Sequence, residues 1–293
     1  MTPLSKLKKE MRMLGISNYF DALSPFAKNS LQITLNVKDD NIIPIGSSKF
    51  GGLPDLPNEV EWFYTEKENI PMSFIAQINF SETIPYDIEH KLPEHGILYF
   101  FYDCSPTGMS WGFDPEDADG FKVYFYDGDM STLSRRETPK DFFYEDNGIV
   151  FESAQLNFEA KTELPSLYSD LTANIDLPDD EDTEDAYYDW LDEKNEEPPN
   201  KLLGHSDNIQ NGMELECEYV TNGIYCGTSE GYKAGRLKGL DKNASRWTLL
   251  MQVESNDDLG MMWGDAGRLY LWITNEDLDA RCFDKSWLIL QCG

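Results

Sequence analysis

"SFIAQINF" at residues 73–80 and "GILYFFYD" at 96–103 are two neighbouring apolar runs rich in β-branched and aromatic residues. They read as strands. Much further along, "TLLMQVES" at 248–255 and "GRLYLWIT" at 267–274 say nearly the same thing again. Gln77 precedes Gln252 by 175 residues, and Gly96, Leu98 and Tyr99 precede Gly267, Leu269 and Tyr270 by 171. A weaker match sets Gly52-Leu53-Pro54-Asp55 beside Gly204-His205-Ser206-Asp207. The order is kept while the offsets drift by loop-sized amounts, as after a duplication in which strands persist and connections change. One pair breaks the order: "MSWGFD" at 109–114 follows its Gly-initiated strand, whereas the similar "MMWGD" at 261–265 precedes it.

Elsewhere strand signals also dominate. Leu31, Ile33, Leu35 and Val37 alternate with polar residues, as do Phe121, Val123 and Phe125, and Leu156, Phe158 and Ala160. In "MELECEYVTNGIYCG" at 213–227, Met213, Leu215, Cys217 and Tyr219 alternate with Glu214, Glu216 and Glu218 before Asn222-Gly223, which reads as a half-wet strand and a hairpin turn. Leu4, Leu7, Met11 and Leu14 recur at helical spacing before Gly15, and a second short helix is expected near Tyr19–Leu23. The expected fold class is therefore α+β: mainly antiparallel sheet from two similar β-rich halves, 30–175 and 200–293, with a helical cap over 1–29.

Residues 176–199 stand apart. Up to residue 197 they hold 12 Asp or Glu against Lys194 alone, and Thr183 can cap a short helix carrying Tyr187, Trp190 and Leu191, closed by Pro198 and Pro199. This composition predicts an acidic surface insertion that adds little core and could be exchanged for a Gly-Ser linker.

At 293 residues, with 40 % hydrophobic and 13 % aromatic content, the chain can bury a core without disulfide or metal support. Its net charge of −30 argues against nucleic acid and anionic membranes and favours solubility and encounter with a basic protein partner. The N-terminus lacks a signal-peptide core, and Cys104, Cys217, Cys226, Cys282 and Cys292 show no CxxC spacing, so reduced thiols in a cytoplasm are expected.

The stretches "SKFGGLPDLPNEVEW", "PMSFIAQINF", "LPEHGILYFFYD", "WGFDPED", "QNGMELECEYVTNGIYCG", "GMMWGDAGRLYLWI" and "WLILQC" resemble the bacterial YwqG-like family of unknown function, from about Ser30 to Gly293. The most specific part is Gly51–Pro57 followed by Phe74–Ile78; the acidic insertion falls outside the pattern. The resemblance implies an intracellular mixed α and β protein with an internally duplicated β framework, and brings no catalytic residues with it.

Motifs for chemistry fail on spacing. Gly51-Gly52-Leu53-Pro54 is a tight turn and not a phosphate loop; "GHSDN" at 204–208 lacks the converging geometry of a triad; "DPEDADG" at 114–120 misses the EF-hand register; His90, His95 and His205 are too scattered for a transition metal. No cofactor or metal is implied. What remains is a pair of Trp-Gly-Asp signals, Trp111 with Asp114 and Trp263 with Asp265, and the amides Gln77 and Gln252 inside apolar strands. Together these six are the candidate cleft between the repeats. The function expected is an acidic cytoplasmic binding protein, immunity-like, that neutralises a basic toxin. The rival is a small-molecule enzyme, with Asp114 and Asp265 as acid and base, or a ligand sensor using the tryptophans.

Overall fold

Leu31 and Ile33 are buried while their neighbours alternate outward because β1 (Lys28–Val37) lies at the middle of a large sheet, paired over its whole length with β8 (Ala154–Glu163). The computed structural model describes residues 2–106, 108–172, 175–177, 180–194 and 200–293. Its remaining strands are β2 (Lys49–Phe50), β3 (Asp55–Pro57), β4 (Ser73–Asn79), β5 (Ile97–Tyr102), β6 (Phe121–Tyr126), β7 (Leu133–Arg135), β9 (Lys201–Leu203), β10 (Trp247–Glu254), β11 (Arg268–Thr274) and β12 (Trp287–Gln291). The helices are α1 (Pro3–Met13), α2 (Ser17–Leu23), α3 (Phe80–Thr83), α4 (Glu181–Lys194), α5 (Glu214–Thr221), α6 (Ser229–Leu237) and α7 (Asn275–Asp279). Among the described residues no helix is long and apolar enough to cross a membrane.

Ten strands form one antiparallel sheet in the order β12-β11-β10-β9-β1-β8-β2-β4-β5-β6, and β3 pairs with β7 beside it. The fold is α+β and mainly antiparallel, with the N-terminal helix. β1 and β8 lie at the centre of that order, in a register that sets Thr34 opposite Asn157. Gln77 pairs Tyr99 across β4 and β5, and Gln252 pairs Tyr270 across β10 and β11; both pairs of strands carry a bulge, between Phe74 and Ala76 and between Leu249 and Met251. Nearer the centre, Ser30 Oγ donates to the Lys161 carbonyl and Ser153 Oγ to the Lys38 carbonyl.

β4 and β5 read as continuous apolar runs because both of their faces are covered. Leu98, Phe100 and Tyr102 join the main core, whereas Ile97, Tyr99 and Phe101 pack with Trp62, Phe63 and Leu133 in a second cluster. The ends of the sheet curl toward one another. Leu290 N–H donates to the Trp111 carbonyl at 3.0 Å and Trp287 Nε1 to the Gly112 carbonyl at 2.8 Å, while Phe121 meets Trp287 and Phe125 meets Phe283 edge-on or tilted. The result is a nearly closed, barrel-like sheet around the main core.

Two expectations change. Residues 213–227 do not form a strand and hairpin: Glu214–Thr221 is α5, and Gly223, at φ +79°, closes a Schellman end in which Ile224 N–H donates to the Tyr219 carbonyl and Gly223 N–H to that of Val220. The acids expected to face water are held instead, Glu214 by Ser169 Oγ and Glu218 by Arg246 Nε and Trp247 Nε1. The acidic stretch also differs. Thr183 lies inside α4, not at its cap, and Tyr187 and Trp190 are 0 % and 4 % exposed, packed with Met11, Ile16, Tyr19, Phe20, Leu23 and Leu164. Residues 178, 179 and 195–199, including Pro198 and Pro199, lie outside the described residues.

Candidate functional site

Lys49 at the start of β2 and Lys201 at the start of β9 are 0 % and 1 % exposed, so each ammonium must find compensating charge inside the protein. Each does so in the same way. Lys49 Nζ lies 2.7 Å from Asp40 and donates to the Leu53 carbonyl; Lys201 Nζ lies 3.0 Å from Glu163 and 2.6 Å from Asp207, and donates to the His205 carbonyl. The turn after each strand wraps back onto the carboxylate. Leu53 N–H donates to Asp40 and His205 N–H to Glu163. That wrap needs two successive residues at positive φ, supplied by Gly51-Gly52 in one case and Leu203-Gly204 in the other. A Cβ on Gly52 would stand 2.5 Å from the Asp40 carboxyl carbon, so the approach itself requires glycine.

The sequence-picked glutamines complete these centres. Gln77 Nε2 donates to Asp55 and its oxygen accepts from Asp55 N–H; Gln252 does the same with Asp207. Tyr99 Oη donates to the Asp55 carbonyl and Tyr270 Oη to that of Asp207. The centres differ in their second cation. Arg135 reaches both Asp55 and Asp40, at 3.0 and 3.2 Å, whereas Arg268 pairs with Glu254 and donates to the Asp207 carbonyl. The two lysines also differ in the direction of their shifts. Burial pulls Lys49 below the usual lysine range, against Asp55 and Asp40, with Arg135 adding to the lowering. Burial pulls Lys201 down too, but Asp207 and Glu163 outweigh it and the net displacement is upward.

Beside the second centre the structure opens a cavity of about 520 Å³. Its sheet-side wall comes from the end of β8 (Lys161–Leu164), the loop after β9 (His205–Asn208) and Arg268; its other wall comes from Leu7 of α1, Tyr168, and Tyr188, Trp190 and Leu191 of α4. The rings of Tyr168 and Tyr188 stack at 5.1 Å. His205 is held neutral: burial first, then the nearby Lys28, push it well below the usual histidine range, and its Nε2 lies 2.8 Å from the Phe26 carbonyl.

The other picked residues lie elsewhere. Trp263 is buried against Tyr102 and Phe151, and its indole N–H has no partner. Trp111 is half-buried on the core beside Gly264, so the two Trp-Gly turns do approach one another. Asp114 caps the 3-10 turn at 115–120 by accepting from Glu116 N–H, and Asp265 sits exposed in a turn. Neither aspartate lines the 520 Å³ cavity.

Sequence reasoning picked the two amides and missed the lysines and carboxylates around them. Part of the signal was present: Lys49-x-x-Gly52-x-x-Asp55 and Lys201-x-x-Gly204-x-x-Asp207 share one spacing, although each lysine by itself follows a polar residue and reads as exposed. With the centres described, the family can be stated. The model of a family described as a domain of unknown function (DUF1963) matches residues 48–292, and the chain belongs to that family. The match begins one residue before Lys49 and takes in both lysine turns. No curated protein matches the chain.

Proposed function

We propose that this chain is an acidic cytoplasmic binding protein that recognises a basic protein, in the manner of an immunity protein neutralising a toxin. The observation that carries this reading is α4. Its Tyr187 and Trp190 are buried in the core, so Glu181, Asp182, Glu184, Asp185, Asp189 and Glu193 are displayed on a docked helix and not on a solvated tail. A fixed acidic face on a chain of net charge −30 steers a cationic partner at long range and orders little on contact. The quoted stretches support placing the chain, within its family, among the YwqG-like proteins, and the two lysine centres support an origin by internal duplication.

The test is capture from native lysate followed by stopped-flow kinetics with the captured protein. Association should slow at least about tenfold between 50 and 200 mM salt, because screening shortens the reach of surface charge. Replacing the six exposed acids of α4 with Asn or Gln should slow it by a similar factor while dissociation changes less. Rates indifferent to both salt and the six substitutions would remove the reading. A second reading, a ligand sensor, is favoured by one observation, the cavity under α4.

A further inference from the structure

Asp170, in the 3-10 turn at 170–172, and Glu214, the first residue of α5, bring two carboxyl groups into hydrogen-bond contact. The bracing between their segments is reciprocal. Glu214 accepts from Ser169 Oγ at 2.7 Å and from the Asp170 and Met213 N–H groups, while Asp170 accepts from Leu215 N–H at 2.8 Å. Glu214 is buried and Asp170 partly so, and among the described residues neither has a cation at ion-pair distance. The groups that face the pair do not supply one. On α5, Glu216 adds negative charge, and burial keeps Cys217 and Tyr219 neutral. Tyr232 of α6 donates to Glu216. The turn at 241–246, packed on the Asp170 turn, carries Asp241, Lys242, which lies toward Gly239, and Arg246, which is committed to Glu218. Lys28, at the start of β1, feels Glu214, Glu89 and Glu163 and pairs with none of them. Two carboxyl groups in contact without a cation hold one proton between them, because like charges so close do not both ionise. Burial, and then the Glu214 carboxylate, push Asp170 up to about 6.

The two segments joined here belong to different cores. Leu164 and Leu167 pack in the cluster of α1, α2 and α4, and the Pro165 carbonyl accepts from Tyr187 Oη of α4, whereas Cys217, Tyr219 and Val220 of α5 belong to the main core. We propose that the Asp170–Glu214 pair is a proton-operated clasp: with one shared proton it holds residues 164–172, and the packing under α4, against α5, and when that proton leaves to water the two carboxylates repel and the segment opens. The folded protein keeps this proton to about pH 6, whereas a free aspartate releases it near 3.8. The contribution of the clasp is therefore complete below about 3.8 and is lost as the pH rises through about 6. With those two values the opening equilibrium is about tenfold larger at pH 7.5 than at pH 5.0. The clasp does not depend on what α4 binds.

Hydrogen exchange of the whole protein, corrected for the chemical rate at each pH, tests this. Residues 164–172 should open about tenfold more at pH 7.5 than at pH 5.0 while the β1–β8 ladder is unchanged. Asp170→Asn keeps an acceptor for Leu215 N–H but cannot ionise, so at both pH values its segment should open no more than that of the parent at pH 5.0. Asp258→Asn removes one exposed charge elsewhere and should keep the parent's pH dependence, which separates the clasp from the general effect of net charge. A parent segment whose opening ignores pH, or a pH dependence retained in Asp170→Asn, would overturn the proposal. A second measurement needs no variant. Followed by NMR, the side-chain carboxyl carbon of Asp170 should titrate with a midpoint near 6, and a midpoint of about 4, that of a free aspartate, would overturn the proposal equally.

Discussion

Lys49 and Lys201 show how one arrangement can tolerate a charge in the core and how small differences set its cost. Removing one member of a buried ion pair typically costs about 3–5 kcal/mol, mostly by stranding the charge that remains. Lys201→Met leaves Glu163 and Asp207 without their shared ammonium, so a loss of that order is expected, and with it a fall in melting midpoint on the order of 10 °C. Lys49→Met should cost less, because Arg135 still reaches both Asp40 and Asp55. Calorimetric melting of the two variants checks the order; equal losses would mean that Arg135 does not compensate. The same comparison explains why Gln77 and Gln252 were readable and the lysines were not. An amide in an apolar strand announces a partner, whereas a lysine at a strand end usually reads as exposed.

The elements teach a different lesson, in α4 and α5. The alternation in "MELECEY" fits a strand until the partners of its acids are known. As a helix it brings Met213, Cys217 and Val220 onto one buried face, while Glu214 and Glu218, one turn apart, meet Ser169 and the Arg246–Trp247 pair. Local pattern could not decide because those partners come from distant segments. In α4 the composition is misleading in the opposite sense, since a strongly acidic stretch carries a buried aromatic face. Tyr187 stacks on Tyr19 at 5.2 Å, and its hydroxyl donates to the Pro165 carbonyl. Tyr187→Ala is therefore expected to cost about 3–5 kcal/mol, as large-to-small changes of buried aromatics do. Exchanging residues 176–199 for a Gly-Ser linker should lower the melting midpoint by more than about 8 °C. A linker variant that melts with the parent would show that the N-terminal helices hold their place without α4.

Across the whole molecule the decisive feature is the curl that brings the β5–β6 connection onto β12. Gly112 has φ +91°, and a Cβ there would lie 2.1 Å from the Leu288 carbonyl oxygen. Gly112→Val is accordingly expected to prise the sheet ends apart. Hydrogen exchange should rise at β6 and β12 while the central β1–β8 ladder stays protected, with a stability loss of about 2–4 kcal/mol. Unchanged exchange at Leu290, whose N–H donates to the Trp111 carbonyl, would show that the closure is not held there.

The period of the apolar residues was enough to place β1, β4, β5, β8, β10 and β11, and the glycines marked the turn at 51–54. Burial alternation and backbone conformation are local properties, written within a few residues. The likeness of 73–103 to 248–274 likewise named Gln77 and Gln252 as equivalent positions. Which charges meet was not local. Asp40 comes to Lys49 and Glu163 to Lys201 only because β1 and β8 run side by side at the centre of the sheet, and the cavity exists only because α1 and α4, about 170 residues apart, pack over the same strand ends. Long-range pairing sets these distances, and no spacing along the chain records it.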